Sequence, residues 1–231
     1  MIASPIVELR QYALRPGQRD TLIDLFDREL VEPQEAVGMA VLGQFRDLDA
    51  ADRFVWLRGF PDMGTRAESL AAFYGGPAWK AHGRAANATM VDSDDVLLLR
   101  PLSERWELPE CLEVRPPVGR SAPASVVLAT IFFADRPIER PFSDVAEREL
   151  YPILAAGGCA PFACLATEYA ENTFPDLPVR TGEHVFAWFT RFDGLDELDD
   201  HVRAVEEANW PSTIKQVQQL RLAPTGRSLL K

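Results

Sequence analysis

Trp56-Leu57-Arg58-Gly59-Phe60-Pro61-Asp62 is answered by Trp188-Phe189-Thr190-Arg191-Phe192-Asp193-Gly194, 132 positions further along the chain. Each stretch reads as the end of a strand rich in aromatic and branched residues, closed by a turn. Two further landmarks keep the same order. Pro77-Ala78-Trp79 is matched by Ala208-Asn209-Trp210, and Leu99-Arg100-Pro101 by Leu220-Arg221-Leu222. Three landmarks in one order indicate a single unit duplicated rather than one long domain.

Outward from these landmarks, the first hundred residues read β-α-β-β-α-β. Residues 6–14 alternate as a strand, and Arg15-Pro16-Gly17 punctuates them. Leu22, Ile23, Leu25, Phe26 and Leu30 recur at helical spacing, with Gly38 as the closing residue. Strands are expected over 39–46, 54–60 and 96–101. Between the last two lies a helical region carrying Leu70, Phe73, Tyr74 and Trp79. Gly75-Gly76-Pro77 should bend or break it, since Pro77 has no N–H to donate. Residues 103–124 hold Pro109, Pro116, Pro117 and Pro123 and read as a semi-rigid linker wrapping the surface. The order then returns: strand 126–134, helix 142–156, strands 160–169 and 184–192, helix 195–217 and strand 220–223. Units are therefore expected at 1–102 and 125–231.

A βαββαβ unit of this length is the ferredoxin-like pattern, two helices on one face of a four-stranded antiparallel sheet. In the first strand Val7, Leu9 and Ala13 are expected to face the helices. Glu8, Arg10 and Tyr12, with Phe54, Trp56, Arg58 and Phe60 of the third strand, are expected on the opposite face. In the second unit Leu128, Thr130 and Phe132 alternate with Val127, Ile131 and Phe133, so both strand faces are largely apolar, as when both are covered. The expected fold is α+β, with two ferredoxin-like units packed sheet to sheet as an intrachain barrel, helices outside.

Composition narrows the function. With 47% hydrophobic and 26% charged residues the chain is of the globular soluble class. Its net charge of −11 is spread over both halves. Such a field repels nucleic-acid phosphates and anionic lipid heads, so neither nucleic acid nor membrane is an expected partner. The first residues lack the basic and apolar regions of a secretory signal. The mostly apolar run 125–134 is about half a bilayer span. A cytoplasmic location is expected. Cys111, Cys159 and Cys164 are odd in number and show no C-x-x-C spacing, which argues against a disulfide scaffold or a zinc ribbon. Phosphate-loop, dinucleotide, nucleophile-elbow and metal-ligand motifs are absent, so no cofactor and no metal are expected.

Val7-Glu8-Leu9-Arg10-Gln11-Tyr12-Ala13-Leu14-Arg15-Pro16-Gly17 resembles the E-L-R-x-Y-x-L-x-P-G opening of NIPSNAP-type domains. Residues 56–62, Trp79 and 99–101 fit the same layout, and the resemblance covers 5–102. Residues 125–231 look like a diverged copy in which Leu128-Ala129-Thr130-Ile131-Phe132 replaces the opening motif. The resemblance implies the dimeric α+β barrel superfamily. Its members include cofactor-free monooxygenases, haem-degrading enzymes, small-molecule isomerases and proteins without established activity.

The expected site lies in the first unit. His82 or Tyr12 would handle protons, Arg10 and Arg58 would stabilise a developing oxyanion, and Glu8, Trp56 and Trp79 would hold an apolar or aromatic ligand. The plainer reading makes Glu8, Arg10 and Arg58 structural ion pairs, the tryptophans core, and His82 a half-exposed helix residue. Haem binding through His82 has no second ligand pattern behind it. His184 and His201 read as solvated or capping. The stretch 170–182 is long against a turn of about six residues in the first unit, as lids, binding loops and partner arms are. The rival to a small-molecule site is a non-catalytic scaffold whose barrel is filled by side chains. The internal pseudo-dimer leaves room for a further homodimer.

Overall fold

The register of β1 (Ile6–Leu14) organises the first half. β1 pairs antiparallel with β3 (Arg53–Phe60) on one side and with β4 (Met90–Pro101) on the other. β2 (Ala40–Asp47) adds to the outer edge of β3, giving the order β4-β1-β3-β2. Between β1 and β2, α1 (Arg19–Leu25) continues through a π-helical turn, Phe26–Leu30, into α2 (Val31–Ala36). Gly38, at φ +96°, then turns the chain into β2, a backbone conformation other side chains resist. α3 (Met63–Tyr74) begins where the Asp62 carboxylate accepts from the Thr65 N–H at 2.7 Å. α4 (Pro77–Thr89) restarts with proline in its first turn, where a missing N–H costs nothing. The break expected at Gly75-Gly76-Pro77 is therefore present.

The structure, a computed structural model, describes residues 4–103, 106, 108, 114–138, 148, 151–155, 159–207, 212 and 214–231. The second half contains β5 (Val126–Ala134), α5 (Tyr151–Leu154), β6 (Pro161–Thr167), β7 (His184–Phe192), α6 (Leu195–Glu206) and β8 (Ile214–Pro224). Its strands lie in the order β8-β5-β7-β6. Phe45 opposite Pro224 joins β2 to β8, and Leu99 opposite Thr167 joins β4 to β6. These two seams close an eight-stranded antiparallel barrel, the expected α+β arrangement. The helix expected at 142–156 is described only over Tyr151–Leu154. Cys111 and the Ala208-Asn209-Trp210 landmark lie outside the described residues.

Two apolar layers result. Inside the barrel Val7, Leu9, Leu57 and Leu99 meet Val127, Ile131, Leu165 and Phe189 from the other half. Eight strands enclose an interior just wide enough for side chains. Under the first half's helices, Tyr12, Phe54, Trp56 and Phe60 pack against Phe26, Leu70 and Phe73. Full burial contributes roughly 1.5–3 kcal/mol for each large apolar side chain, so both layers support the fold.

The facing of β1 reverses the expectation. Val7 and Leu9 point into the barrel, while Glu8, Arg10 and Tyr12 point toward the helices. The physical reason is partner supply. The barrel interior is lined mainly by apolar side chains from the opposite strands and offers Glu8 no cation among them, whereas the helices bring Arg66 and Gln34. A second difference concerns the helix expected to reach residue 217, which ends at Glu206. Residues Ile214–Pro224 instead pair along β5, from Val127 opposite Leu222 to Ala134 opposite Ile214.

The segment after the first half is pinned to the barrel. Arg115 donates to the Glu35 carboxylate and to the Val41 carbonyl, and Arg227 binds Glu32 and the Asp27 carbonyl. Among the described residues no helix is long and apolar enough to cross a membrane.

Candidate functional site: a buried guanidinium cluster

Alternation along β1 puts Glu8 and Arg10 in one row beneath the helices. The β1–β3 register sets Arg58 opposite Glu8 and Trp56 opposite Arg10. α3 lowers Arg66 onto the same spot, on the face it shares with Leu70 and Phe73. Glu8 Oε2 accepts from Arg10 Nη1 and Arg58 Nε, and Oε1 accepts from Arg66 Nε, each at 2.7 Å. Glu8, Arg58 and Arg66 are fully buried and Arg10 is 1% exposed. Burial pushes the Glu8 carboxyl upward, but Arg58, Arg10 and Arg66 outweigh it and hold the group well below the usual carboxylate range. The same burial lowers Arg66.

One carboxylate among three guanidiniums leaves two positive charges over. The other partners of the cluster are neutral. Arg10 Nε donates to Tyr12 Oη at 2.9 Å, Arg58 Nη1 to Gln34 Oε1 at 3.3 Å, and Arg66 Nη1 to Asn172 Oδ1 at 2.9 Å. Arg58 Nη2 and Trp56 Nε1 are buried with no hydrogen-bond partner among the described residues. The Trp56 ring lies 5.2 Å from the Arg58 guanidinium carbon and 5.7 Å from that of Arg10, within cation–π range of both. Its edges meet Phe26 and Tyr12, with ring centroids 4.9 and 5.9 Å away.

The chemistry open to such a set is restricted. Glu8 is ionised and held by three cations, so it is a poor base. Burial pushes the Tyr12 hydroxyl up, against the pull of Arg10, so it keeps its proton at neutral pH and can donate it. What remains is stabilisation of an oxyanion by aimed donors in a dry layer.

The strands of the second half pair in a comparable order but without these charges. There Leu128 lies opposite Thr190 and Thr130 opposite Trp188. Leu128 and Thr130 thus stand where Glu8 and Arg10 stand, and Thr190 where Arg58 does. Leu198 of α6, 132 residues after Arg66, packs with Val126, Leu128 and Phe192.

The structure does not gather every expected residue. Glu8, Arg10, Tyr12, Trp56 and Arg58 converge. Trp79 lies further out on α4, edge-on to Tyr74 at 4.7 Å and beside Phe73. His82 is 34% exposed, and its Nε2 lies 3.4 Å from Glu29 Oε2 at the surface. His184 Nδ1 is 3.1 Å from Tyr169 Oη. His201 differs from its expected solvated state. It is 5% exposed, packs on Phe192 at 5.1 Å and is lowered in pKa by that burial. Sequence reading missed Arg66, Gln34 and Asn172. Arg66 had a signal, a charge four and seven residues before Leu70 and Phe73 on an apolar helical stripe. Asn172 had none, because its place depends on the closure of the barrel.

The stretch 170–182 crosses from the second half onto this cluster. Phe174 stacks on Tyr74 with ring centroids 6.0 Å apart, and Phe174 and Leu177 pack against the first half's helical layer. Among the described residues no group of three or more His, Cys, Asp or Glu side chains could hold a metal ion.

Comparison with solved structures shows the same barrel over the whole chain. A protein from Lactobacillus acidophilus, provisionally named a monooxygenase, is 13% identical with a TM-score of 0.57, covering 96% of this chain and 94% of its own. An anthrone oxidase-like protein is 11% identical with a TM-score of 0.52, covering 95% and 91%. A NIPSNAP family protein from Agrobacterium tumefaciens is 23% identical with a TM-score of 0.39, covering 42% of this chain and 91% of its own. None of the curated proteins compared matches. Residues 7–104 match the NIPSNAP family model, and these residues carry the E-L-R-x-Y strand that builds the cluster. What the chain shares with the NIPSNAP family is therefore the segment 7–104, its first half.

Proposed function

We propose that the first half binds a small planar organic anion between its sheet and its helices, as a cofactor-independent oxygenase or isomerase holds an enolate or phenolate. The observation that carries this reading is the excess of two buried positive charges around Glu8. Buried charges are costly unless paired, and an entering oxyanion is the group that pairs them. Arg10 and Arg58 are the oxyanion donors, with the unpartnered Arg58 Nη2 the first available. Tyr12 supplies a neutral O–H, Trp56 a ring face, and Glu8 keeps the guanidiniums apart. Neither Glu8 nor Tyr12 takes a proton at neutral pH, so the ligand enters as its anion. The names of two whole-chain structural neighbours, monooxygenase and anthrone oxidase-like, are in keeping with this chemistry.

In this proposal residues 1–102 and 125–231 are two copies of one unit joined by 103–124, and only the first copy keeps the polar set. The rival reading, a non-catalytic scaffold, draws support from the apolar filling of the barrel; under it, the cluster is purely architectural. Thermal melting with benzoate and 2-naphthoate separates the two. Saturation at a hundredfold excess over Kd raises stability by about 2.7 kcal/mol, and Arg58→Leu should abolish the shift. No shift with either anion, together with no co-purifying ligand by native mass spectrometry, would leave the scaffold reading standing.

A further inference from the structure

We propose that the loop between β6 and β7 is the lid and selectivity element of the first half's cluster, with Asn172 occupying the place on Arg66 that a further oxygen of the ligand takes beside the Arg10 and Arg58 donors. This rests on the anion-site reading above and assigns the second half a role in it.

Three observations carry the inference. The loop is anchored at both ends on β4: Glu168 N–H donates to the Leu98 carbonyl at 2.9 Å and Arg180 N–H to the Val96 carbonyl at 2.8 Å. Between these anchors its contacts with the first half come from side chains. Asn172 Oδ1 accepts from Arg66 Nη1 at 2.9 Å, and Thr173 Oγ1 stands 3.4 Å from the same nitrogen while donating to the Met63 carbonyl at 3.0 Å. Arg66 thus turns Nε inward to Glu8 and Nη1 outward to the loop. A neutral amide is a weak partner for a guanidinium in a layer with surplus positive charge. A carboxylate or enolate oxygen makes the stronger, charge-assisted bond and displaces it. Finally, Phe174 stacks on Tyr74 with the planes 25° apart, and Tyr74 in turn meets Trp79. Lifting Phe174 frees an aromatic face beside the cationic edge, the pairing that a planar aromatic anion requires. The lid is held by exchangeable contacts over a fixed base. Pro175 and Pro178 fix the backbone φ at two positions of its tip.

The test uses the full chain and two probes. Phenylglyoxal modifies accessible guanidiniums, read by peptide mass spectrometry at Arg66 against exposed Arg28 as internal reference. Benzoate is the competing anion. Phe174→Ala removes the stacking contact and Asn172→Ala removes the Arg66 bond together with its bonds to the Phe174 N–H and the Leu177 carbonyl within the loop; each should raise Arg66 modification at least about tenfold, the factor that one lost contact to the cluster represents. Benzoate should then protect Arg66. Asn172→Asp places a carboxylate on Arg66 and should raise the melting temperature while weakening benzoate protection about tenfold. A loop that merely braces the fold would shift the melting temperature in these variants and leave benzoate affinity unchanged, which overturns the lid. Failure of benzoate to protect Arg66 in any variant overturns the anion site and the lid together. Equal protection and equal labelling rates in all of them overturn the lid alone.

Discussion

Replacing Glu8 by leucine asks whether charge balance holds the first half's helical layer together. The change removes the only carboxylate hydrogen-bonded to the cluster among the described residues and leaves three guanidiniums facing one another. Breaking a buried ion pair from one side costs about 3–5 kcal/mol, a large part of the roughly 5–15 kcal/mol that holds a protein folded. At about 2–4 °C per kcal/mol for a chain of this size, the melting temperature should fall by roughly 6–20 °C. The second half suggests the compensating change, since there Leu128 of β5 and Leu198 of α6 pack together without charge. Glu8→Leu with Arg66→Leu removes one charge of each sign and returns the cluster to its original excess of two. The double variant should therefore be less destabilised than the two single changes added together, by about 0.5–3 kcal/mol, the usual coupling of groups in direct contact. Differential scanning calorimetry of wild type, both single variants and the double variant closes the cycle. If the single changes add, or if Glu8→Leu melts within about 2 °C of wild type, a shift of under 1 kcal/mol, the charge-balance argument is refuted.

Acid should act through the same carboxylate. The Glu8 pKa is depressed in the folded chain, so its contribution is complete above the unfolded value of 4.5 and is lost progressively as pH falls below it. Melting curves from pH 7 to pH 3 should show a steeper loss in wild type than in Glu8→Leu. Asp27 behaves oppositely: burial pushes its carboxyl from 3.8 up to about 6, against the pull of Arg227, Arg115 and Arg46. Its ionisation penalises the fold increasingly as pH rises from about 4 to 6, so Asp27→Asn should raise the melting temperature at pH 7 and not at pH 4. A Cβ on Gly226 would stand 1.8 Å from the Arg120 carbonyl oxygen. Gly226→Ala should therefore push the linker off the C-terminal turn and lower stability by about 1–3 kcal/mol, measured by denaturant titration. His82→Ala removes a surface contact with Glu29; its effect on stability should stay within about 0.5 kcal/mol, and a larger one would mean that His82 has partners beyond Glu29.

The parts of the site legible in the sequence are those set by neighbours along a strand. Glu8, Arg10 and Tyr12 alternate on one face, and their row is visible without coordinates. The Trp56–Arg58 segment stands out as well, because charge amid aromatic and branched residues is uncommon in a strand. Which face of β1 turns inward was not legible. Alternation defines two faces, and with both covered by protein neither is marked as solvent. Arg66 was readable in principle as a charge on an apolar helical stripe. Asn172 was not, since nothing in Ala170-Glu171-Asn172-Thr173 states which element that loop will meet. The end of α6 was not legible for a local cause: residues 214–224 contain enough helix-compatible residues that only their pairing with β5 and, at the end, with β2 makes them a strand.

By itself, the sequence determined the α+β class, the β-α-β-β-α-β order of the first half and the row of charges on β1. These follow from periodicity, glycine and proline punctuation and residue type, all of which act over a few residues. Only the tertiary structure decided that Val7 and Leu9 fill the barrel while Glu8 and Arg10 lie under the helices, that Arg66 completes a cluster with surplus positive charge, and that the second half closes over it. Those outcomes depend on which groups 50 to 110 positions apart can satisfy a buried charge. Glu8, Arg58 and Arg66 meet once β1 pairs with β3 and α3 packs on that sheet, and Asn172 joins them only when the second half closes against the first.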